Sequence, residues 1–250
     1  MFELRGVSKA YPSTVALHSA DLDIPSGATT VLLGPSGCGK STVLRLLVGL
    51  IEPDSGQVLF EGKPLTRASL AEQRRRMGYV IQEGGLFPHL TGRANALLMP
   101  RYLGWSEDRA DRRLADLMQL VQLSADTLKR YPGQLSGGQR QRISLMRALM
   151  LDPHVLLLDE PLGALDPMIR SELQGDLKRI FQQLHKTVVM VTHDLGEAAF
   201  LGDHIVLLRE GHIAQRGKFS DLFDRPADAF VTRFINAQRP RWAAAESETA

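Results

Sequence analysis

Cysteine is almost absent from this sequence, and so is any export signal. Cys38 is the single cysteine, so a disulfide within the chain is impossible and a compartment that keeps thiols reduced is the natural setting. The first residues, Met1 to Arg5, lack the basic start and apolar core of a secretory signal. Both absences favour a protein of a reducing compartment.

Long apolar runs and an excess of one charge sign are missing too. Stretches such as 43–51 and 188–191 fall far short of the ~20 residues that a membrane helix needs. We therefore expect a protein that is soluble by itself and reaches a membrane only through a partner. The 30 basic and 28 acidic residues leave a formal net charge of +2, which is too small to indicate nucleic-acid binding.

The 250 residues, of which 44% are hydrophobic, suffice for one large domain or for two lobes that share a core. Three short apolar or β-branched runs, 29–33, 155–158 and 188–191, are typical of strands buried in a helix-covered parallel sheet. Helical spacing follows the first run at 40–50 and separates the other two at 168–184, where a crossover helix is expected. The predicted fold class is α/β with a parallel sheet.

Two further pieces differ from this core. Alternation of apolar and polar residues at 2–11, 16–24 and 57–61 predicts an N-terminal antiparallel β subdomain with one solvated face. The stretches 106–123 and 139–150 have helical spacing, and no convincing strand lies between them. We interpret this middle part as a helical subdomain inserted between two halves of the α/β core.

A glycine-rich segment at 34–41, here called the phosphate loop, carries the first chemical motif. It fits G-x-x-x-x-G-K-[ST] and lies between the first core strand and its helix. Backbone N–H groups and the helix N-terminus can hold phosphate oxygens, Lys40 adds a full charge, and Ser41 can bind Mg²⁺. A chance match in a turn is the alternative, and Cys38 is either a small loop filler or a reactive thiol. The predicted phosphate-binding residues are Gly34, Pro35, Ser36, Gly37, Cys38, Gly39, Lys40, Ser41 and Thr42.

Two adjacent carboxylates, Asp159 and Glu160, end the strand predicted at 155–158. Asp159 can hold Mg²⁺ through its water shell, because this ion gives up water reluctantly. Glu160 can polarise an attacking water molecule. Any parallel strand can end in acidic loop residues, so this pair does not establish catalysis by itself.

A second glycine pair occurs in Leu135-Ser136-Gly137-Gly138-Gln139, here called the signature loop, directly before a helical stretch. Its backbone N–H groups form another anion site, but this site lacks a lysine. One nucleotide rarely needs two sites for its γ-phosphate. The simplest explanation is that this loop reaches the nucleotide held by a second copy, in a two-fold dimer that buries two ATP molecules.

The three motifs in this order resemble the ABC ATPase domains along nearly the whole chain. That resemblance implies a P-loop NTPase core and roles for four more residues. Gln82 is similar to the Q-loop glutamine, which binds the nucleotide and its metal ion, and His193 to the switch histidine. Asp166 lies in a sequence similar to the D-loop, and Tyr11 is placed to stack on adenine. For each of these four residues taken alone, the alternative is an ordinary structural role in a loop, in a turn or in side-chain packing.

The resemblance also implies the organisation and the reaction. Residues 1–240 form the ABC ATPase domain, with 1–85 and 155–240 as a RecA-like core with the β subdomain and 86–154 as the helical signature subdomain. The sequence further predicts a late hairpin at 205–215, and 241–250 is expected to be a flexible tail. ATP and Mg²⁺ are the implied ligands. The implied catalytic residues are Glu160, His193 and Lys40, and the implied metal ligands are Ser41, Gln82 and Asp159.

The segments 131–138 and 77–90 resemble importer subunits, and the latter is similar to those for glycine betaine, choline and related osmoprotectants. This implies a homodimer on the cytoplasmic face of the membrane, bound to permease subunits and indirectly to a substrate-binding protein. Residues 86–89 would receive a short permease helix. Many osmoprotectant ATPases carry C-terminal CBS modules, for which we expect no room after Ala250. Import of amino acids, sulfonates or lipids, and a non-transport role in cofactor assembly, remain alternatives.

Overall fold

Two β-sheets organise the fold in a computed structural model that describes residues 1–163 and 165–238. The larger sheet has six strands and the smaller has four. In chain order, the strands are β1 (Phe2–Tyr11), β2 (Thr14–Ile24), β3 (Thr29–Leu33), β4 (Ser55–Phe60), β5 (Lys63–Pro64), β6 (Met77–Val80), β7 (Val155–Asp159), β8 (Thr187–Thr192), β9 (His204–Arg209) and β10 (His212–Gly217).

The larger sheet has the order β10-β9-β3-β8-β7-β6 and is parallel except for its terminal hairpin, β9–β10. Every residue of β3, β7 and β8 is buried, which explains why these strands are apolar or β-branched except at Asp159, the last residue of β7. The three apolar runs are therefore confirmed as strands. Because they are parallel, their carboxyl ends at Leu33, Asp159 and Thr192 lie at one edge of the sheet.

The helices cover this sheet and fill the middle of the chain. Residues 81–154 lie between β6 and β7 and contain helices but no strand, so the helical character predicted for this part is confirmed. Its boundaries as a subdomain stay a prediction. The helices are α1 (Lys40–Val48), α2 (Leu70–Arg74), α3 (Gly92–Ala96), α4 (Leu98–Tyr102), α5 (Glu107–Leu120), α6 (Ala125–Leu128), α7 (Gly137–Leu149), α8 (Pro167–Leu184), α9 (Leu195–Leu201), α10 (Phe219–Asp224) and α11 (Ala229–Gln238).

The smaller sheet, with the order β2-β1-β4-β5, is the antiparallel β piece expected from the alternating pattern. Its buried side chains form part of one of the two hydrophobic cores. Side chains of β3 alternate between the cores: Leu32 belongs to the core that includes Phe2 and Phe60, whereas Val31 and Leu33 belong to the core that includes the helical part of the chain. The central sheet thus separates the two cores and positions the loops at its edge.

Several element boundaries differ from the predictions for identifiable reasons. The predicted helix 40–50 ends at Val48, because Gly49 adopts the left-handed conformation (φ 70°) and its N–H bonds back to the last turn. The helix predicted from Gln139 begins at Gly137, because Ser136 caps it. Strand β6 was not predicted; it has only four residues, one of them glycine.

The late hairpin is confirmed, with Glu210 (φ 48°) and Gly211 (φ 77°) at its turn. The predicted tail, 241–250, lies outside the described residues. Within 1–163 and 165–238, no helix is long and apolar enough to cross a membrane.

Candidate nucleotide site

The phosphate loop connects β3 to α1 and packs tightly against two neighbouring strands. Gly34 has a φ of 148°, and a Cβ atom there would lie 2.3 Å from the carbonyl oxygen of Leu208. At Gly39, with a φ of 107°, a Cβ would lie 2.3 Å from the carbonyl oxygen of Ala16. Only glycine fits these two positions. Residues 35–37 between them are exposed, so the middle of the loop is open to a ligand.

Lys40 is buried, and its ammonium group folds back over the phosphate loop. Its Nζ donates hydrogen bonds to the carbonyl oxygens of Gly34 (2.7 Å) and Pro35 (2.8 Å). In the part of the chain that the structure describes, Lys40 has no carboxylate within ion-pair distance. A buried cation whose partners in the described residues are neutral groups favours an anionic ligand beside it.

Cys38 is buried in the same loop. Its Sγ lies 3.8 Å from Nζ of Lys40. Burial raises the pKa of the Cys38 thiol, although the charge of Lys40 acts in the opposite direction. A neutral, buried thiol is poorly nucleophilic, so the structure favours the loop-filler interpretation of Cys38 over the reactive one.

Ser41 and Asp159 come together at the start of α1 and the end of β7. The hydroxyl of Ser41 donates a 3.0 Å hydrogen bond to Oδ1 of Asp159. Burial raises the pKa of Asp159, and the charge of Glu160 acts in the same direction, while Ser41, Arg45 and Lys40 lower it. A hydroxyl beside a buried carboxylate is an oxygen donor set that suits Mg²⁺.

Glu160 and His193 also meet, at the ends of β7 and β8. Nδ1 of His193 lies 3.5 Å from Oε2 of Glu160. Glu160 has a positive φ of 44°, and its N–H bonds to the carbonyl oxygen of Val191 on β8. This backbone bond joins the ends of the two strands that carry Glu160 and His193. Both side chains are at least partly exposed to a ligand.

The signature loop forms the N-terminus of α7 in a reciprocal cap. Ser136 Oγ accepts from the N–H of Gln139 (3.2 Å), and Gln139 Oε1 accepts from the N–H of Ser136 (3.0 Å). Gly137 and Glu160 line the same cleft, of about 320 Å³. No residue of 34–42 is among the described residues that line this cleft.

Three predicted site residues belong to elements other than the phosphate loop. Tyr11 ends β1 and is 40% exposed. Gln82 begins a 3-10 turn and is exposed. Asp166 caps α8 by accepting a hydrogen bond from the N–H of Ile169 (3.1 Å). Among the described residues, none of the three makes a hydrogen bond to 34–42, so their roles toward nucleotide stay predictions.

Sequence reasoning missed the side chains of α7 that hold the segment after Gln82. Ser144 Oγ donates to the carbonyl oxygen of Gly84 (2.6 Å). Arg147 donates to the carbonyl oxygens of Gly84 (3.0 Å) and Gly85 (2.9 Å). These bonds tie the signature helix to the Gln82 loop. The sequence signal that could have revealed these contacts is the presence of polar residues on the buried face of the predicted helix.

The phosphate loop, the carboxylates after a neighbouring strand and the capped glycine pair define a P-loop NTPase with an additional signature loop. The family profile described as ABC transporter matches residues 17–163. The chain belongs to this family.

Three relatives show the range of names within that family. Glycine betaine/carnitine/choline transport ATP-binding protein OpuCA of Bacillus subtilis (strain 168) is 45% identical over 96% of this chain and 63% of its own length. Glycine betaine uptake system ATP-binding protein YehX of Escherichia coli (strain K12) is 44% identical over 94% and 76%. Sulfate/thiosulfate import ATP-binding protein CysA of Thermosynechococcus vestitus is 46% identical over 93% and 68%. The chain thus spans about 63% of the length of a relative such as OpuCA.

Among solved structures, the ATP-binding cassette MJ0796 resembles this chain with a TM-score of 0.79 and 33% identity, over 88% of this chain and 99% of MJ0796. MJ0796 was solved as a dimer in a post-hydrolysis state bound to ADP and Pi.

Proposed function

We propose that this chain is the ATP-binding and ATP-hydrolysing subunit of an ABC importer for a quaternary amine such as glycine betaine or choline. One observation carries the enzymatic part of this proposal. Lys40, Ser41, Asp159, Glu160 and His193 all lie at one edge of the parallel sheet, with the Ser41–Asp159 and Glu160–His193 contacts at 3.0 and 3.5 Å.

The phosphate loop is the proposed site for the phosphates of ATP. Its exposed middle presents backbone N–H groups, and Lys40 supplies a positive charge that no carboxylate neutralises at ion-pair distance in the described residues. Ser41 and Asp159 are the proposed ligands of Mg²⁺, with Gln82 as a third. The ion would neutralise charge on the phosphates. Tyr11 is the proposed contact for adenine.

Glu160 is the proposed residue that orients the attacking water molecule, and His193 the one that contacts the γ-phosphate. Their 3.5 Å separation allows both to act on the same phosphoryl group. Lys40 would stabilise the charge that develops in the transition state.

The working unit in this proposal is a homodimer. The signature loop offers N–H groups at a helix N-terminus, and no described residue of 34–42 lines the cleft that Gly137 shares with Glu160. Ser136, Gly137, Gly138 and Gln139 would therefore contact the nucleotide held by the second copy, and Asp166 would lie at the interface. Two composite sites follow from the two-fold symmetry.

The permease is the proposed partner at an apolar groove of about 560 Å³ beside the Gln82 loop. Phe87 and Tyr102 line it, and Tyr102 is 78% exposed. Arg74, Arg75 and Arg147 also line it, whereas no described lining residue is acidic. This charge pattern suits a short amphipathic permease helix that carries a carboxylate. Through this contact, the chain would lie on the cytoplasmic face of the membrane, with a substrate-binding protein as an indirect partner.

The quaternary amine is proposed because the names of OpuCA and YehX specify such substrates, in line with the resemblance of residues 77–90. The similar identity to CysA favours sulfate or thiosulfate as a second candidate. Uptake of labelled glycine betaine, choline and sulfate by a gene-deletion strain, with and without a plasmid copy, separates the two. Loss and recovery of amine uptake alone supports the proposal, and loss and recovery of sulfate uptake alone contradicts it.

Membrane extraction in detergent followed by affinity purification of the tagged chain tests the partner. Recovery of a polytopic membrane protein supports a transport role. Recovery of soluble proteins alone contradicts it and favours a role in cofactor assembly.

A further inference from the structure

Glu197 is a buried carboxylate behind the turn that carries His193. It lies in the first turn of α9 and is only 5% exposed. Its Oε2 accepts a hydrogen bond from the hydroxyl of Thr192 at 2.6 Å. Its backbone N–H donates to Oδ1 of Asp194 at 2.9 Å. Glu197 is therefore bonded to the residues on both sides of His193.

The turn itself is closed by a third bond. The hydroxyl of Thr192 accepts from the N–H of Asp194 at 3.0 Å while it donates to Glu197. The hydroxyl can do both only while Glu197 offers an acceptor, because a hydroxyl has a single proton to donate. Removing the Glu197 carboxylate would free the Thr192 hydroxyl to rotate and loosen the turn.

The buried surroundings of Glu197 disfavour the charged form of its carboxyl group. Burial raises the pKa of Glu197, and the bond from Thr192 and the charges of Arg170 and His193 offset part of that effect. An apolar side chain would avoid this desolvation. A buried carboxyl group beside a predicted catalytic residue is a candidate for a functional role.

Arg170, on α8, connects the same carboxylate to the loop after Glu160. Its Nη2 donates to the carbonyl oxygen of Leu165 at 3.3 Å, and its buried Nε has no hydrogen-bond partner within residues 1–163 and 165–238. Its positive charge acts on Glu197. Arg170 thus acts electrostatically on Glu197 and is hydrogen-bonded to the segment that follows Glu160.

We propose that Glu197 is a positioning residue that holds His193 toward the γ-phosphate through Thr192 and Asp194. The inference rests on the proposed ATPase function. It predicts a specific kinetic signature, because the phosphate loop binds ATP whereas His193 acts on the transferred phosphoryl group. The loss should appear in kcat and leave KM for ATP nearly unchanged.

Steady-state ATPase measurements on Glu197→Ala in two backgrounds test the proposal. In the wild-type background, kcat should fall by about tenfold to 100-fold, because misplacing a reacting group by about 1 Å costs up to that much. In a His193→Ala background, Glu197→Ala should cause no further loss. Gln73→Ala is the matched control, since Gln73 is also buried and polar but lies on α2. It should leave kcat unchanged even if it lowers the melting temperature.

Thr192 provides a second test that leaves the carboxylate in place. Thr192→Val removes the hydroxyl at constant volume and should reproduce the kcat loss, and Thr192→Ser should restore most of the rate. Wild-type kcat in Glu197→Ala or Thr192→Val, or an equal further loss in the His193→Ala background, would overturn the positioning role. An inactive wild-type protein would instead contradict the proposed function itself.

Discussion

The hydroxyl of Ser41 donates a 3.0 Å hydrogen bond to Oδ1 of Asp159, and so joins two motifs that lie 118 residues apart. The strands that deliver them, β3 and β7, are separated in the sheet by β8. The bond therefore depends on the order of the strands, and it places the two proposed Mg²⁺ ligands side by side. Asp159 is buried and its pKa is raised, which makes it a carboxylate that a cation would stabilise.

Asp159→Asn should remove Mg²⁺-dependent activity without weakening the fold. The ATPase rate should fall by at least about 100-fold, because a metal ion at a transferring phosphoryl group contributes several kcal/mol. The amide carries no charge to desolvate, so the melting temperature without ligand should match or exceed that of the wild type. Thermal shift with and without Mg²⁺ and ATP measures both effects; equal Mg²⁺-ATP stabilisation of the two proteins would contradict the assignment.

The same carboxyl gives a pH prediction for the protein without ligand. Burial raises the pKa of Asp159 in the folded protein above its value in the unfolded chain. At a pH between these two pKa values, the folded protein therefore binds more protons than the unfolded chain. The contribution of Asp159 to the free energy of unfolding should therefore increase as the pH falls through the folded pKa. Urea titrations at several pH values should show a weaker dependence for Asp159→Asn than for the wild type.

Glu160→Gln should keep ATP binding, abolish turnover and accumulate a dimer that contains ATP. The amide preserves the shape of the side chain but is a poor base toward water. Activity assays combined with size-exclusion chromatography in Mg²⁺-ATP check both outcomes. Glu107→Gln, on the exposed start of α5, is the matched control and should retain activity. A steady-state rate for Glu160→Gln near that of the wild type would remove Glu160 from its proposed role.

Gly34→Ala should lower the free energy of unfolding more than Gly62→Ala. Both glycines have a positive φ, but a Cβ at Gly34 meets the carbonyl oxygen of Leu208 at 2.3 Å, whereas a Cβ at Gly62 meets no described atom within 4 Å. Gly62→Ala should cost about 1–2 kcal/mol, the usual penalty for a left-handed residue. Urea unfolding of both variants measures the difference. Equal costs would contradict the close packing of Gly34 against Leu208.

Tyr102→Glu should reduce the amount of permease that copurifies with the chain. The substitution places a carboxylate in the apolar groove that is proposed to receive a permease helix. Phe200→Glu provides the control, because Phe200 is another exposed aromatic (43%, against 78% for Tyr102) and does not line this groove. If Tyr102→Glu retained the permease fully, or if both variants lost it equally, the groove would not be the docking surface.

The sequence predicts this fold well where burial dictates composition. Strands β3, β7 and β8 are recognisable because both of their faces are covered, and α8 because it must cross between parallel strands. Strand β6 was not predicted because it has only four residues and one of them is Gly78. A side chain at Gly78 would clash with the backbone of Ala148, so only a small residue fits there. Burial in tertiary contacts, which local pattern does not encode, decides such cases.

The site is predictable to the extent that its motifs are continuous in sequence. The phosphate loop and signature loop each form one local structure, so their residue types reveal them. The contacts of Arg147 and Ser144 join segments about 60 residues apart through single side chains, and no sequence spacing predicts them. The contact of Glu197 with Thr192 is local, but nothing in the residue types shows that Glu197 is buried there. Their importance becomes visible only when burial and hydrogen-bond partners are known.

Complementation between two inactive variants tests the central claim, that each ATP site is built from two copies of the chain. Lys40→Ala disables the phosphate loop, and Ser136→Arg disables the signature loop. Each homodimer should be inactive. A mixed dimer would contain one site with an intact phosphate loop and an intact signature loop. Mixing the purified variants should therefore raise the ATPase rate well above the sum of the separate rates. A mixture no more active than that sum, alongside an active wild type, would contradict the composite site.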